Sequence, residues 1–186
     1  MRTEKNNLKT IPYERVGRHL IAKGSILDYY QDDIKLPDGS LSKWDYIAHK
    51  GAAAALPVLP DKRILLVRQY RNALDRETLE IPAGGLKNPK ERMLAAAKRE
   101  LKEETGYRAG KMERLLTIHT TVAFCSEKIG IYLATELVPG KQHLDPDEFL
   151  NVEAYPLEKL LDLIYAGKIM DSKTVCAILA YKNKFA

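Results

Sequence analysis

The chain has 186 residues, is 45% hydrophobic and 30% charged, and carries a net charge of +5. This length and composition are typical of one globular domain with at most a small appendage, and they exclude a disordered or fibrous protein. No apolar run reaches the roughly 18 residues that a transmembrane helix needs. The N-terminal MRTEKNNLKT lacks the apolar stretch of a secretory signal, so we predict no membrane partner.

The charge and the cysteines narrow the class of partner further. The basic residues are dispersed, with no run of five or more Lys or Arg, so we expect no nucleic-acid partner. A small anionic ligand remains compatible with the net charge. The two cysteines, Cys125 and Cys176, are too few for a disulfide framework and indicate a reducing, cytoplasmic location.

The first predicted element is an antiparallel β unit over residues 12–48. RHLIAKGSILDYYQDDIKL supplies strand-like runs, PDGS at 37–40 places Asp-Gly in a turn, and LSKWDYIAH resumes the strand pattern. Such a unit is too small to be stable alone. We therefore predict an N-terminal β subdomain over residues 1–48 and a main domain over 49–186.

The main domain opens with GAAAALPVLP and the apolar strand RILLVRQYR. ETLEIPAG is a short strand broken by Pro82, Gly84 and Gly85. After a central helix, strands are predicted near 112–120 and 128–136. Two helices close the chain: PLEKLLDLIYAG, and DSKTVCAILAYKNK with Asp171 as N-cap. This order predicts an α+β fold with mixed β-sheets sandwiched between helices (α/β/α), because the βαβ alternation of a doubly wound sheet is missing.

The central helix lies in GLKNPKERMLAAAKRELKEETGY, residues 85–107. We predict that it starts at Asn88-Pro89, where Asn caps and Pro occupies the first turn. Glu91 then falls where a capping box places a carboxylate. Gly106 is the predicted C-terminal stop.

Three glutamates border the apolar face of this helix. At about 100° per residue, Glu100 and Glu104 fall within about 20° of Met93, and Glu103 lies about 80° away. Three neighbouring anions on a packed face are costly to desolvate without a counter-charge. A hard divalent cation such as Mg²⁺ would neutralise them. An ion-pair network that includes Arg99 is the alternative, and spacing alone leaves both open.

The same segment resembles the Nudix box. The box pattern is Gly, five residues, Glu, seven residues, Arg-Glu, an aliphatic residue, any residue, Glu-Glu, any residue, Gly and an aliphatic residue. The chain matches it at Gly85, Glu91, Arg99, Glu100, Leu101, Glu103, Glu104 and Gly106, and departs from it at Tyr107. The resemblance covers residues 44–184 and implies the Nudix fold and hydrolysis of a diphosphate linked to another group.

The resemblance also implies roles for the box residues. Glu100, Glu103 and Glu104 would bind Mg²⁺ or Mn²⁺, and Arg99 would orient them. The carbonyl of Gly84 would add a metal ligand, although AGG at 83–85 leaves open whether Gly84 or Gly85 is the box glycine. Glu91 would cap the helix or pair with Arg99.

LLVRQYRNALDRETLEIPAG resembles the stretch before the box in ADP-ribose and ADP-sugar diphosphatases. On that likeness Arg71 would contact the diphosphate, Arg68 would assist it, and Glu80 would contact the nucleoside end. Strand alternation by itself makes Glu80 an outward-facing residue. Trp44 matches the position of an aromatic residue that stacks on adenine, and a half-buried strand tryptophan is the alternative.

Two glutamates are candidates for the general base. The subfamily carries a Ser-Pro-Gly signature after the box, but its proline position is Val122 here. Glu127 keeps the spacing of the carboxylate beyond that signature and ranks first. Glu148, in the acidic LDPDEF loop, is the second candidate.

The sequence therefore predicts a Mg²⁺-dependent Nudix hydrolase that splits ADP-ribose into AMP and ribose 5-phosphate. The rivals are a diphosphatase acting on a GDP-sugar or a dinucleotide, and a non-catalytic nucleotide-sugar-binding module. Because all the metal carboxylates are present, catalysis is favoured. The family further implies a homodimer in which the N-terminal strands contribute to the partner's site.

Overall fold

The structure, a computed structural model, describes residues 12–88, 90–146 and 148–185. The segment MRTEKNNLKT and Pro89, on which two sequence predictions rest, lie outside the described residues. The described chain forms two compact units. One comprises the residues up to His49 together with Ala123–Ser126, and the other comprises Lys50–Val122 together with the residues from Glu127 onwards. The two domains over 1–48 and 49–186 stay a prediction.

The first unit is a three-stranded antiparallel sheet, as the sequence pattern indicates. Its strands are β1 (Glu14–Lys23), β2 (Asp28–Lys35) and β3 (Leu41–Ala48), in the order β1-β2-β3. The predicted turn at 37–40 is present, since the Leu36 amide donates to the Ser40 carbonyl at 2.8 Å.

Within the first unit, Asp32 is buried and receives two hydrogen bonds of 2.6 Å from Arg18. The Arg18 guanidinium lies 3.7 Å from the ring centroid of Tyr46. Segment 123–126 joins this unit because Cys125 forms a parallel bridge with Ile47. No local pattern in the sequence predicts this long-range pairing.

The second unit contains two sheets. Their strands are β4 (Ala52–Pro57), β5 (Ile64–Arg71), β6 (Arg76–Glu80), β7 (Ala83–Gly85), β8 (Arg108–His119), β9 (Lys128–Val138) and β10 (Leu150–Tyr155). The three-stranded sheet has the order β10-β5-β6, and the four-stranded sheet has the order β7-β4-β9-β8. The pair β4–β9 is parallel and every other pair is antiparallel, so the predicted mixed sheet is confirmed.

Three α-helices, α1 (Met93–Thr105), α2 (Leu157–Tyr165) and α3 (Ser172–Phe185), pack with these strands. Strand β4 is buried along its whole length. Its alternate residues Ala52, Ala54 and Leu56 belong to the core cluster that includes residues of α2 and α3. Ala53 packs with Ala96 and Ala97 of α1. Because successive strand residues point to opposite faces, β4 lies between helices, as the predicted sandwich requires.

The start of α1 differs from the prediction. The helix begins at Met93 after Arg92, which has extended backbone and whose side chain forms no capping hydrogen bond. Asn88 instead makes a turn, in which its Oδ1 accepts the Lys90 amide at 2.9 Å. The predicted start at Asn88 and the capping-box role of Glu91 are therefore wrong. Gly106 ends the helix with φ 78°, as predicted.

No helix within residues 12–88, 90–146 and 148–185 is both long and apolar enough to cross a bilayer.

Candidate active site

The three clustered glutamates lie where the helical geometry places them. Glu100 is 7% exposed and Glu104 is 3% exposed, whereas Glu103 is half-buried. The prediction that these carboxylates border the packed face of α1 is confirmed. Carboxylates are rarely buried without a partner, so their contacts decide what the cluster can do.

Arg99 binds two of the three carboxylates. Its Nη1 donates to Glu100 Oε1 at 2.5 Å and to Glu103 Oε2 at 3.0 Å. Its Nη2 donates to the Gly85 carbonyl at 3.1 Å, and its Nε donates to Glu91 Oε1 at 3.3 Å. Glu91 pairs with Arg99 and does not cap the helix, so the second of its two predicted roles is the one observed. Arg99 thus ties the helix to the loop before it.

Gly84, on β7, faces the carboxylate of Glu100. A Cβ on Gly84 would overlap that carboxylate, whereas a Cβ on Gly85 would meet no atom within 4 Å. Only glycine at position 84 lets the backbone approach Glu100 this closely. The AGG run therefore contains one glycine that the site requires sterically and one that it does not.

Glu104 is the deepest member of the cluster. Among the described residues, its Oε2 is the one buried side-chain polar atom without a hydrogen-bond partner. Burial, together with the charges of Glu100 and Glu148, raises the pKa of Glu104 to about 8. Burial also raises the pKa of Glu100, although Arg99 opposes this effect. The cluster thus holds more carboxylate than its own cation neutralises.

Arg71, at the end of β5, forms a bidentate pair with Glu80. Its Nε and Nη2 donate to the two Glu80 oxygens at 2.7 and 2.6 Å. Glu80 is 2% exposed, so the outward orientation expected from strand alternation is wrong. Burial would raise the pKa of Glu80, but the hydrogen bond from Arg71 and the charge of Lys173 lower it to about 2. The buried carboxylate is therefore ionised and fully paired.

The other two predicted substrate residues, Arg68 and Trp44, have partners outside the Arg71–Glu80 pair. Arg68 binds Glu153 on β10, with Nε 2.5 Å from Oε1. Trp44 lies on β3 in the first unit, is 45% exposed, and contacts the ring of Tyr13 at 5.5 Å between centroids. Its half-exposed ring is accessible to a ligand, and adenine stacking stays a prediction.

The two candidate bases differ in their electrostatic relation to the cluster. Glu148 is exposed, and its charge contributes, after the larger effect of burial, to the raised pKa values of Glu100 and Glu104. Glu127 is half-buried and accepts a hydrogen bond from Thr120 Oγ1 at 2.9 Å. Glu127 is not among the largest causes for either pKa. A carboxylate that acts on the cluster through its charge lies near it, and this charge effect is the ground on which Glu148 is preferred.

Sequence reasoning missed three residues around the site: Lys173, Thr174 and Glu153. Lys173 binds Glu80, Thr174 binds the backbone of Ile81, and Glu153 binds Arg68. The run DSKT predicts only a helix start. The further signal in it is a lysine in the first turn of a helix, where the helix dipole disfavours a cation. That unfavourable position implies a specific anionic partner.

The donor set fits a hard divalent cation. Glu104 offers an unpartnered buried oxygen, Gly84 allows close backbone approach, and the carboxylates are the ligands that such ions prefer. Within residues 12–88, 90–146 and 148–185, no three His, Cys, Asp or Glu side chains are arranged around one point to hold a metal. Instead, Glu100 and Glu103 bind Arg99 Nη1. The fold and this cluster define an α+β protein with a buried acidic site whose oxygen atoms suit a hard cation.

Comparison with known proteins identifies the family. Residues 48–174 match the model of the NUDIX domain, which covers more than half of the chain, and the chain therefore belongs to the Nudix family. It is an enzyme of that family, a Nudix hydrolase, as the sequence predicts.

Two relatives share 37% identity with the chain. ADP-ribose pyrophosphatase of Bacillus subtilis (strain 168) aligns over 173 residues, which is 92% of this chain and 93% of that protein. Methanol dehydrogenase activator of Bacillus methanolicus aligns over 172 residues, 91% of this chain and 90% of that protein. Both alignments extend beyond the box and cover nearly the whole chain.

A solved structure supports the fold independently. The "Crystal structure of ADP compounds hydrolase" matches with a TM-score of 0.82, covering 95% of this chain and 96% of that one, at 22% identity. At this identity the match shows the fold alone. The predicted α+β Nudix fold is confirmed.

Proposed function

We propose that the protein is a Mg²⁺-dependent ADP-ribose diphosphatase that releases AMP and ribose 5-phosphate. The observation that carries this proposal is the buried carboxylate cluster of α1, in which Glu104 retains an unpartnered oxygen. The name of the Bacillus subtilis relative, ADP-ribose pyrophosphatase, supports the substrate.

The proposed metal ligands are Glu100, Glu103, Glu104 and the carbonyl of Gly84. A bound Mg²⁺ would polarise the phosphoryl oxygens and lower the pKa of a water molecule; Mn²⁺ would serve the same purpose. Arg99 Nη1 is the cation that now binds Glu100 and Glu103. Its remaining contacts to Glu91 and the Gly85 carbonyl keep it beside the cluster, so Arg99 orients the carboxylates.

The proposed role of Arg71 is to bind the diphosphate. Its Nη1 forms no hydrogen bond with any described residue, while Nε and Nη2 are fixed by Glu80. A guanidinium held on one edge and open on the other suits a phosphate oxygen. Because both Glu80 oxygens are occupied, we propose that Glu80 acts by holding Arg71. Arg68, which is bound to Glu153, assists less directly.

We propose Glu148 as the general base that takes the proton from the attacking water, with Glu127 as the alternative. Glu148 acts electrostatically on Glu100 and Glu104. Its exposure keeps it close to water, and the loop turn is closed by a bond from the Asp145 amide to Glu148 Oε2 at 3.2 Å. A carboxylate so placed can accept a proton and release it to solvent.

Substrates other than ADP-ribose remain candidates because Val122 replaces the usual proline of the ADP-ribose subfamily. The Bacillus methanolicus relative, at the same 37% identity, carries a name that specifies no substrate. GDP-sugars and dinucleotides are therefore the alternatives, and a non-catalytic module is the least favoured.

We propose a cytoplasmic homodimer. Cys125 and Cys176 are both free thiols, in agreement with a reducing compartment. On β1 of the first unit, three apolar side chains are more than half exposed: Val16, Leu20 and Ile21. Exposed apolar side chains on one strand suit a subunit interface.

The test is an assay of ADP-ribose, GDP-sugars and dinucleotides with Mg²⁺ or Mn²⁺, with product identification. We expect AMP and ribose 5-phosphate from ADP-ribose. Glu103→Gln should remove most activity and leave the unfolding temperature nearly unchanged, since Glu103 is half-buried. No turnover of any substrate with either metal would exclude the enzyme proposal. Turnover of GDP-sugars without ADP-ribose would exclude only the substrate.

A further inference from the structure

The first turn of α3 contains a buried lysine that the mechanism above does not use. The Lys173 side chain is 9% exposed. Lysine is almost never buried without an anionic partner, and the first turn of a helix is electrostatically unfavourable for a cation. Its position therefore depends on specific contacts.

Lys173 lies between two carboxylates from distant parts of the chain. Its Nζ donates to Glu80 Oε2 at 2.5 Å and lies 3.0 Å from Asp171 Oδ2. The neighbouring Thr174 hydroxyl donates to Asp171 Oδ2 at 2.5 Å and accepts the Ile81 amide at 2.9 Å. The start of α3 thus holds both the Glu80 side chain and the backbone that follows it.

Glu80 transmits this constraint to Arg71. One carboxylate lies between two cations, with Arg71 on both oxygens and Lys173 on Oε2. Thr78 Oγ1 donates to Oε1 at 2.6 Å. Every oxygen of Glu80 is therefore fixed, and the guanidinium that it binds is fixed with it.

Both cations also interact with the carboxylate cluster through their charges. The charge of Glu104 raises the pKa of Arg71, after the larger effects of Glu80, and the charge of Lys173 lowers the pKa of Glu104. Without Lys173, Arg71 would be the only cation that neutralises the Glu80 carboxylate. Glu80 would also lose one of the hydrogen bonds that fix its rotamer. Arg71 would then be less available to a phosphate.

We propose that Lys173 is a positioning residue for substrate binding, which holds Glu80 so that Arg71 is oriented towards the substrate diphosphate. This inference rests on the proposed function of Arg71. Among the described residues, the Lys173 ammonium contacts Glu80 and Asp171 and none of the proposed metal ligands, and it acts through the contact Lys173–Glu80–Arg71.

The experiment compares Lys173→Met with the conservative Lys173→Arg and with Lys182→Met, a matched change at an exposed lysine of the same helix. The first readout is the ¹⁵N resonance of Arg71 Nε in the metal-free protein, assigned with Arg71→Lys. The second is the separate measurement of KM and kcat for ADP-ribose. The third is the double variant with Arg71→Lys.

We expect Lys173→Met to shift the Arg71 Nε resonance and to raise KM roughly 10- to 100-fold, the range found when a supporting contact of a site is lost. The change in kcat should be smaller, because ground-state binding is what is lost. Lys173→Arg should recover much of the affinity and Lys182→Met should match the wild type. In the Arg71→Lys background, Lys173→Met should add little, since the two residues act as one unit.

An unchanged KM in Lys173→Met would overturn the proposal. So would an equal rise of KM in the Arg71→Lys background, because it would show that Lys173 only stabilises the fold. If the wild type cleaves none of the substrates, the proposed function fails. The Arg71 Nε resonance then still tests whether Lys173 orients Arg71 through Glu80. An unchanged resonance in Lys173→Met overturns that role and a shifted one supports it. If Lys173→Met does not fold, Lys173→Gln gives the same readouts.

Discussion

Two single residues, Glu148 and Glu127, are candidates for the general base. Glu148 acts by charge on Glu100 and Glu104, whereas Glu127 is bound by Thr120. We expect Glu148→Gln to lower kcat about 10²- to 10⁴-fold, the usual contribution of general acid–base catalysis. Glu127→Gln should change kcat only a few-fold. Steady-state kinetics of both variants with Mg²⁺ measure this, and a larger loss in Glu127→Gln would reverse the assignment.

A second residue-scale prediction follows from the buried carboxyl of Glu104. Burial raises its pKa from 4.5 to about 8, so between these values the folded protein holds a proton that the unfolded chain has released. The free energy of unfolding should therefore fall as the pH rises from about 4.5 to about 8, on the order of a few kcal/mol from this group.

Urea unfolding in EDTA across this pH range tests that expectation. Glu104→Gln cannot ionise, so its stability should depend less on pH than that of the wild type and exceed it at pH 8. Mg²⁺ should raise the unfolding temperature of the wild type more than that of the variant. Parallel pH profiles for the two proteins would show that Glu104 titrates normally.

At the scale of elements, the close approach of β7 to α1 yields a matched pair of substitutions. A methyl group on Gly84 would overlap the Glu100 carboxylate, whereas one on Gly85 would meet nothing within 4 Å. We expect Gly84→Ala to lower kcat/KM roughly 10- to 100-fold by displacing a ligand of the site, and Gly85→Ala to remain within a few-fold of wild type. Equal losses would place the requirement in the loop backbone and not in the Glu100 contact.

The elements also show how far local patterns determine the fold and the site. Helical periodicity correctly placed Glu100 and Glu104 on the packed face of α1, because burial on a helix follows from local geometry. The same kind of local argument failed for Glu80. Its orientation depends on Lys173, which is 93 positions away in the sequence, and strand alternation contains no information about such a partner.

The prediction of where α1 starts was wrong for a related reason. Asn88 and Pro89 favour a helix start locally, but Glu91 is engaged by Arg99 and by the Lys87 amide, at 3.3 and 2.6 Å. These two contacts hold Glu91 in the turn before the helix, which begins at Met93. The tertiary pair thus overrides the local capping preference. The sequence motif includes both Glu91 and Arg99. Only the structure showed that Arg99 contacts both the loop and the helix.

In the whole molecule, a homodimer raises the question of which subunit supplies Trp44 to each active site. The tryptophan lies in the first compact unit, whereas the carboxylate cluster lies in the second. If the N-terminal strands of each subunit contribute to the active site of its partner, every site in the homodimer contains Trp44 from one subunit and Glu103 from the other. Trp44→Ala and Glu103→Gln then damage different halves of this shared site. A mixed dimer would then contain one intact site, with Glu103 from one subunit and Trp44 from the other.

Refolding the two inactive variants together should therefore restore about a quarter of wild-type activity, because half of randomly assorted dimers are mixed and each has one intact site of two. Light scattering should show a dimer, and Leu20→Glu on β1 should convert it to a monomer and prevent the recovery. If each subunit used its own Trp44, both sites of a mixed dimer would remain defective. Mixing would then restore nothing, and the assignment of Trp44 to the partner's site would be wrong even if the protein is dimeric.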